Sequence, residues 1–251
     1  DGASANPTPE VDYTNVILTL GDVRLTGTAE FALVQRSVVA DVNGATGGGQ
    51  VNANLMTLAL TVSGLGVHVE DVAHISVSGQ LALASLKPQD AADLRSWTAL
   101  KMGNVVVTGN VNLGLDGVTA QISVDALDLN LATNPNVPVG QNVPRLDWTR
   151  AFDLDGDGAY DDLVDPGAEL PTPVDLTIDY PSTLQLRVRG SLTGTGHYDD
   201  VDDDFDGASA NPTPEVDYTN VILTLGDVRL TGTAEFALVQ RSVVADVNGA
   251  T

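Results

Sequence analysis

Val23-Arg24-Leu25-Thr26-Gly27-Thr28-Ala29-Glu30-Phe31 is the stretch that decides the fold class. Its apolar residues fall on every second position, the period of a strand with one buried face. Gly27 sits mid-stretch on the parity of Leu25 and Ala29, which reads as the inward one. The pattern recurs over 75–83 around Gly79, 105–113 around Gly109 and 186–192 around Gly190, with a partial relative at Leu60-x-Val62-x-Gly64. Such a strand runs about ten residues, roughly 33 Å. A glycine on its core face lets it bend or lets another backbone come close. Bent strands of this kind turn the corners of sandwiches or close barrels.

Working outward, further strands are expected over 14–20, 50–60, 117–131 and 174–180. One helix is expected over 89–97, where Pro88 opens and Ala91, Ala92 and Leu94 follow. The expectation is an all-β fold: an elongated β-sandwich or twisted barrel of long, Gly-bent antiparallel strands, with at most one short helix. A solenoid would show short repeats, which are missing. An outer-membrane barrel would show aromatic girdles, and aromatics are only 4% of the chain.

Residues 206–251 are identical to residues 1–46, an offset of 205. Forty-six identical positions imply a tandem array. On this reading 1–205 is one complete unit, 199–207 an acidic inter-repeat junction and 206–251 the start of the next copy. The start at Asp1, with neither Met nor a signal-like segment, reads as a piece excised from something longer. The strands of the second copy arrive without the rest of their unit. They are expected at a sheet edge, pairing with neighbouring copies in cis or with another chain in trans.

The 251 residues include 34 acidic and 11 basic ones, a formal charge of -23. Phosphate backbones attract basic faces, so nucleic acid is not an expected partner. No run of 18 apolar residues exists, so membrane insertion by a helix is not expected either. Cys is absent, which removes disulfides, thiolate zinc sites and Cys nucleophiles. Asp outnumbers Glu 28 to 6, and Lys occurs twice. Asp favours turns and cation loops where Glu favours helix surfaces.

Two Asp clusters stand out from the generally solvated acidic surface. Asp153-Leu154-Asp155-Gly156-Asp157-Gly158-Ala159-Tyr160-Asp161-Asp162 places carboxylates at loop positions 1, 3, 5 and 9 with glycine at 6. That spacing suits Ca2+, which takes six to eight oxygens. Val164 stands where an EF-hand has Glu, and no helix pattern flanks the loop. At the junction, Asp202-x-Asp204-x-Asp206-Gly207 repeats positions 1, 3, 5 and 6. A cation there would neutralise a self-repelling linker. The expected metal ligands are therefore Asp153, Asp155, Asp157 and Asp161, with Asp202, Asp204 and Asp206.

Other candidates read as structural. His68 and His74 flank an apolar run, and a metal site would need a third ligand such as Glu70. His197 stands beside the junction as a solvated residue. No Gly-x-Ser-x-Gly elbow appears. Paired carboxylates occur only in the cation-like loops, so no catalytic residue and no enzyme activity are expected. Trp97 and Trp148 read as core plugs, with sugar stacking as the alternative. The Asn6-Pro7-Thr8 sequon carries the proline that blocks glycosylation.

The loop at Asp153 is similar to the calcium loops of all-β bacterial modules and of FG-GAP-type propeller blades. The identical period, the Asp-rich junctions, the lack of Cys and the stretch 95–101 ahead of a Gly-centred strand together resemble the tandem repeats of giant bacterial surface and secreted proteins. The resemblance implies a structural extracellular or cell-surface module, an extender or filament unit stiffened by calcium. A calcium-dependent adhesin or glycan-binding module is the alternative; an exposed Trp148 would favour it.

Overall fold

The computed structural model describes residues 15–20, 23–43, 49–69, 73–111, 118–138, 143–200, 216–225 and 228–243. Among these residues, eleven strands form one sheet in which every pairing is antiparallel. They are β1 (Val16–Leu20), β2 (Val23–Asp41), β3 (Gln50–Val69), β4 (Ala73–Pro88), β5 (Ser96–Val111), β6 (Val118–Thr133), β7 (Leu184–Gly194), β8 (Gly196–Asp200), β9 (Val216–Leu225), β10 (Val228–Thr231) and β11 (Thr233–Arg241). The order β1-β2-β3-β4-β5-β6-β7-β11 is a meander with the second copy's β11 at its far edge. A 3-10 turn at Pro166–Glu169 is the one helical element among the described residues. The all-β class with long antiparallel strands is as the sequence pattern implies.

The mid-strand glycines mark a seam of irregularity. Register shifts fall at Thr26/Thr28, Val62/Leu65 and Ser78/Gln80. They coincide with Gly27, Gly64 and Gly79, as bulges do where a strand must turn. Gly27 has φ +126, and a Cβ there would lie 2.6 Å from Leu65 Cα. Gly109 of β5 marks no shift; left-handed Asn104 takes that part on this strand.

The connection from β6 to β7 covers one face of the sheet. Its bulky side chains (Leu146, Trp148, Phe152, Tyr180) share a core with Ala40, Ala53, Ala84 and Ala99 of the strands. Small residues on the sheet leave room for large ones from the covering segment, and Leu55, Leu86 and Trp97 of the strands fill the rest of this core. The result is two-layered and sandwich-like, with the second layer held by isolated bridges instead of long strands. This sets the inward face opposite to the expected one. Ala82, Ala84 and Leu86 are fully buried, whereas Ile75 is 45% and Phe31 71% exposed. The large apolar parity lies on the other face, where Leu33, Leu58, Leu83, Leu100, Leu129 and Leu186 form one cross-strand row.

A buried polar cluster clips the covering segment to β6. Tyr180 Oη donates to Asp128 Oδ1 at 2.8 Å, and Arg187 Nε pairs with Asp128 Oδ2. Trp148 Nε1 donates to Asn130 Oδ1 at 3.2 Å, while Asn130 Nδ2 donates to Leu146 O at 3.0 Å. Asp128 and Asn130 are both fully buried, so these partners replace the water each has lost. Burial first, then the Asp128 carboxylate, push the Tyr180 phenol well above its ordinary pKa. It therefore stays a donor. Trp97 and Trp148 are core residues, 2% and 0% exposed.

Two local expectations fail. Residues 89–95 are bends and a single turn, and 96–100 already belong to β5. Pro88 and the alanines favour a helix locally. Asp90 instead caps a tight turn by accepting from Ala92 N at 2.9 Å, and Trp97 is held in strand geometry by donating to Pro144 O at 3.1 Å. Residues 174–180 form no strand; Ile178 makes one isolated bridge to Val164 and Tyr180 O accepts from Trp148 N, scattered contacts that do not extend into a ladder.

Tyr180→Phe keeps the ring and removes the donor to a buried carboxylate. A loss of about 1–3 kcal/mol is expected in urea unfolding followed by tryptophan fluorescence. An unchanged midpoint would mean that the cluster does not hold the covering segment.

Candidate functional site

The acidic loop lies within the covering segment. Phe152 and Asp162 form an isolated antiparallel bridge, with Asp162 N donating to Phe152 O at 3.1 Å. Buried Phe152 anchors this base in the core, and the loop between projects into solvent. The carboxylates organise the turn by accepting backbone amides. Asp153 accepts from Gly156 N (2.8 Å) and Gly158 N (3.0 Å), Asp155 from Asp157 N (3.1 Å), and Asp157 from Ala159 N (2.8 Å). Asp162 Oδ2 accepts from Leu154 N and from Asp155 N, the latter at 3.0 Å. Gly156 and Gly158 have φ +82 and +90.

One ligand oxygen from each of Asp153, Asp155 and Asp162 lies within 4.8 Å of the others. Asp153 and Asp155 are among the expected ligands. Asp162 is not; it comes in through the Phe152 bridge, which local spacing does not reveal. Asp157 and Asp161 are exposed and outside this group. The junction residues Asp202, Asp204 and Asp206 lie outside the described residues, as does Glu70. Three carboxylates at this separation, with backbone and water to complete the shell, form an all-oxygen donor set suited to a hard cation such as Ca2+.

The two histidines meet across β3 and β4. His68 and His74 are register partners, their rings stacked at 4.0 Å and 15°. His68 Nε2 is hydrogen-bonded to Thr26 Oγ1 at 3.0 Å. Burial first, then the His74 imidazole and the Arg24 guanidinium, hold the His68 pKa below its ordinary value. His197 lies in β8. A hollow of about 350 Å³ opens between β2–β4 and Thr172–Val174; Glu30 is the carboxylate in its lining. Glu30 is engaged, accepting from Thr172 N at 2.9 Å and Thr172 Oγ1 at 3.0 Å.

Two outcomes follow from this geometry. Asp162→Asn is expected to weaken terbium or calcium binding by about tenfold or more. Asp161→Asn is expected to leave it nearly unchanged; the reverse order in a luminescence titration would restore the ligand set read from spacing. For His68, the folded pKa lies below the unfolded one, so the unfolded chain binds the proton more readily. Its contribution to stability is full above about pH 6.5 and is lost as pH falls below that. Urea midpoints should drop between pH 7.5 and pH 5.5, and the drop should shrink in His68→Gln. An equal drop in the variant would remove His68 as its source.

No helix among the described residues is long and apolar enough to cross a membrane. No protein-family model matches the chain, and neither a curated protein nor a solved structure matches it.

Proposed function

We propose that this chain is a structural tandem-repeat module of an extracellular or cell-surface protein, an extender or fibre unit stiffened by calcium at the loop of Asp153, Asp155 and Asp162. The observation that carries the proposal is the second copy. Its 46 residues repeat the start of the unit without a change, and two of its described strands, β9 and β11, pair with strands of the first unit. An identical sequence with a built seat on its predecessor is what a load-bearing array needs. The resemblance to repeats of giant bacterial surface and secreted proteins points the same way. Both tryptophans are buried, which weakens the alternative of a glycan-binding module that stacks sugar on Trp148.

Calcium near a hundred times its dissociation constant would stabilise by about 2.7 kcal/mol. For a chain of this size that is a rise of roughly 5–10 °C in Tm. Thermal unfolding in excess chelator and then in millimolar calcium should show this rise, and Asp155→Ala should blunt it. An unchanged Tm would leave the acidic loop as a solvated turn and remove calcium from the proposal.

A further inference from the structure

Residues 28–36 and 233–241 are the same sequence in two settings. The second lies in β11, against β7, in nine register pairs from Thr233↔Thr193 to Arg241↔Leu184. The first lies in β2, paired with β3 along one edge. Along the other edge, among the described residues, β1 covers β2 only from Val23 to Thr26. Among the described residues, the backbone edge over 28–36 has no strand beside it. Unpaired edges of this length invite another strand.

The lead-in hairpin is built twice as well. Val16↔Thr26, Leu18↔Leu25, Thr19↔Arg24 and Leu20↔Val23 recur at Val221↔Thr231, Leu223↔Leu230, Thr224↔Arg229 and Leu225↔Val228. Gly27 N donates to Asn15 O at 3.0 Å, and Gly232 N to Asn220 O at the same distance. What differs is what lies beneath. In the second copy β9 pairs with β8, and Thr119 Oγ1 donates to Val221 O at 3.1 Å. Val221 is 3% exposed where its twin Val16 is 42%, and Phe236 is 44% where Phe31 is 71%. A Cβ on Gly194 would lie 2.0 Å from Asn220 O, so this bare backbone position is shaped for the second copy.

The register makes the seat repeatable. The row Phe31, Leu60, Leu81, Met102, Leu127, Val188 arrives at Leu238, the twin of Leu33. One passage through the unit thus shifts the row by two residues. An odd shift would turn each successive unit over; an even one keeps the covered face on the same side.

We infer that the free edge of β2 is the docking edge for β7 of another copy of this unit, so that consecutive units share one uninterrupted antiparallel sheet. This rests on the proposal that the chain is a repeat module. Each unit contributes six strands, β2 to β7. At about 4.8 Å per strand, a unit advances the array by roughly 29 Å. The β1–β2 hairpin of each unit then hooks onto β8 of its neighbour, as β9 and β10 do here.

The test uses the full chain. Its β7 is already covered by its own β11, so Ala234→Pro with Ala237→Pro is introduced to free β7 while β2 keeps its sequence. The two positions have opposite parity, so one of the lost amides faces β7. This variant is expected to form head-to-tail oligomers in sedimentation runs, while the unaltered chain stays monomeric at the same micromolar concentration. The chain has no Cys, so added pairs report register cleanly. Ala29→Cys with Leu192→Cys should give an oxidised ladder, and Ala29→Cys with Ser191→Cys, one residue out of register, should give none. If the proline variant loses its β-sheet circular dichroism, the same cysteine pairs go into the otherwise unaltered chain. Held concentrated in mild urea, its β11 exchanges, and the same contrast between pairs is expected. A folded proline variant that stays monomeric, or ladders that form equally with both pairs, would overturn the docking edge. Loss of the calcium-dependent Tm rise with the ladder intact would sink the calcium proposal alone.

Discussion

Every strand in an open sheet must find a partner for its second edge or leave it to water, and the meander from β2 to β7 does not close on itself. At β7 the requirement is met by a sequence already used once, because β11 is the copy of residues 28–36. The glycines of this region serve the same end. Gly194 and Gly196 stand against Asn220 and Val221, where side chains would collide with the second copy. Strand pairing, hairpin geometry and bare backbone converge on one contact between the unit and its repeat.

The rest of the unit holds a second layer on the sheet. The covering segment supplies large side chains to a face where the strands present Ala40, Ala53, Ala84 and Ala99 beside Leu55, Leu86 and Trp97, and the Asp128–Tyr180 and Asn130–Trp148 pairs fix its position. Partly satisfied buried polar groups would be costly, and here each has its partner. The seam of bulges at Gly27, Gly64 and Gly79 divides this covered half from the half where β8, β9 and β10 add on. The acidic loop hangs from the covering segment through Phe152, so a cation bound there would stiffen the layer that holds the sheet.

Strand periodicity and the bulge glycines were legible because both are local: alternation and missing side chains leave their mark on neighbouring residues. The inward face was not legible. Phe31, Leu81 and Leu83 look like core residues, but the strands meet a segment that brings its own bulk, and Ala40, Ala53, Ala84 and Ala99 are the residues that fit it. The same limit applies at the loop. The spacing of Asp153 and Asp155 could be read directly, whereas Asp162 joins them through a bridge to Phe152 that no local pattern announces. Residues 89–95 show the converse. Their helix signals are genuine, yet the slot for Trp97 beside Pro144 decides the conformation.

Amide hydrogen exchange over residues 184–194 tests the contact between unit and repeat most directly, because that sequence occurs once in the chain. Alternate amides of an edge strand point outward and exchange quickly, whereas a strand paired on both sides is protected throughout. With β11 seated, all the β7 amides should exchange as slowly as those of β4 and β5. Rapid exchange of about half of them would mean that β7 is a bare edge, and that the second copy does not join the sheet.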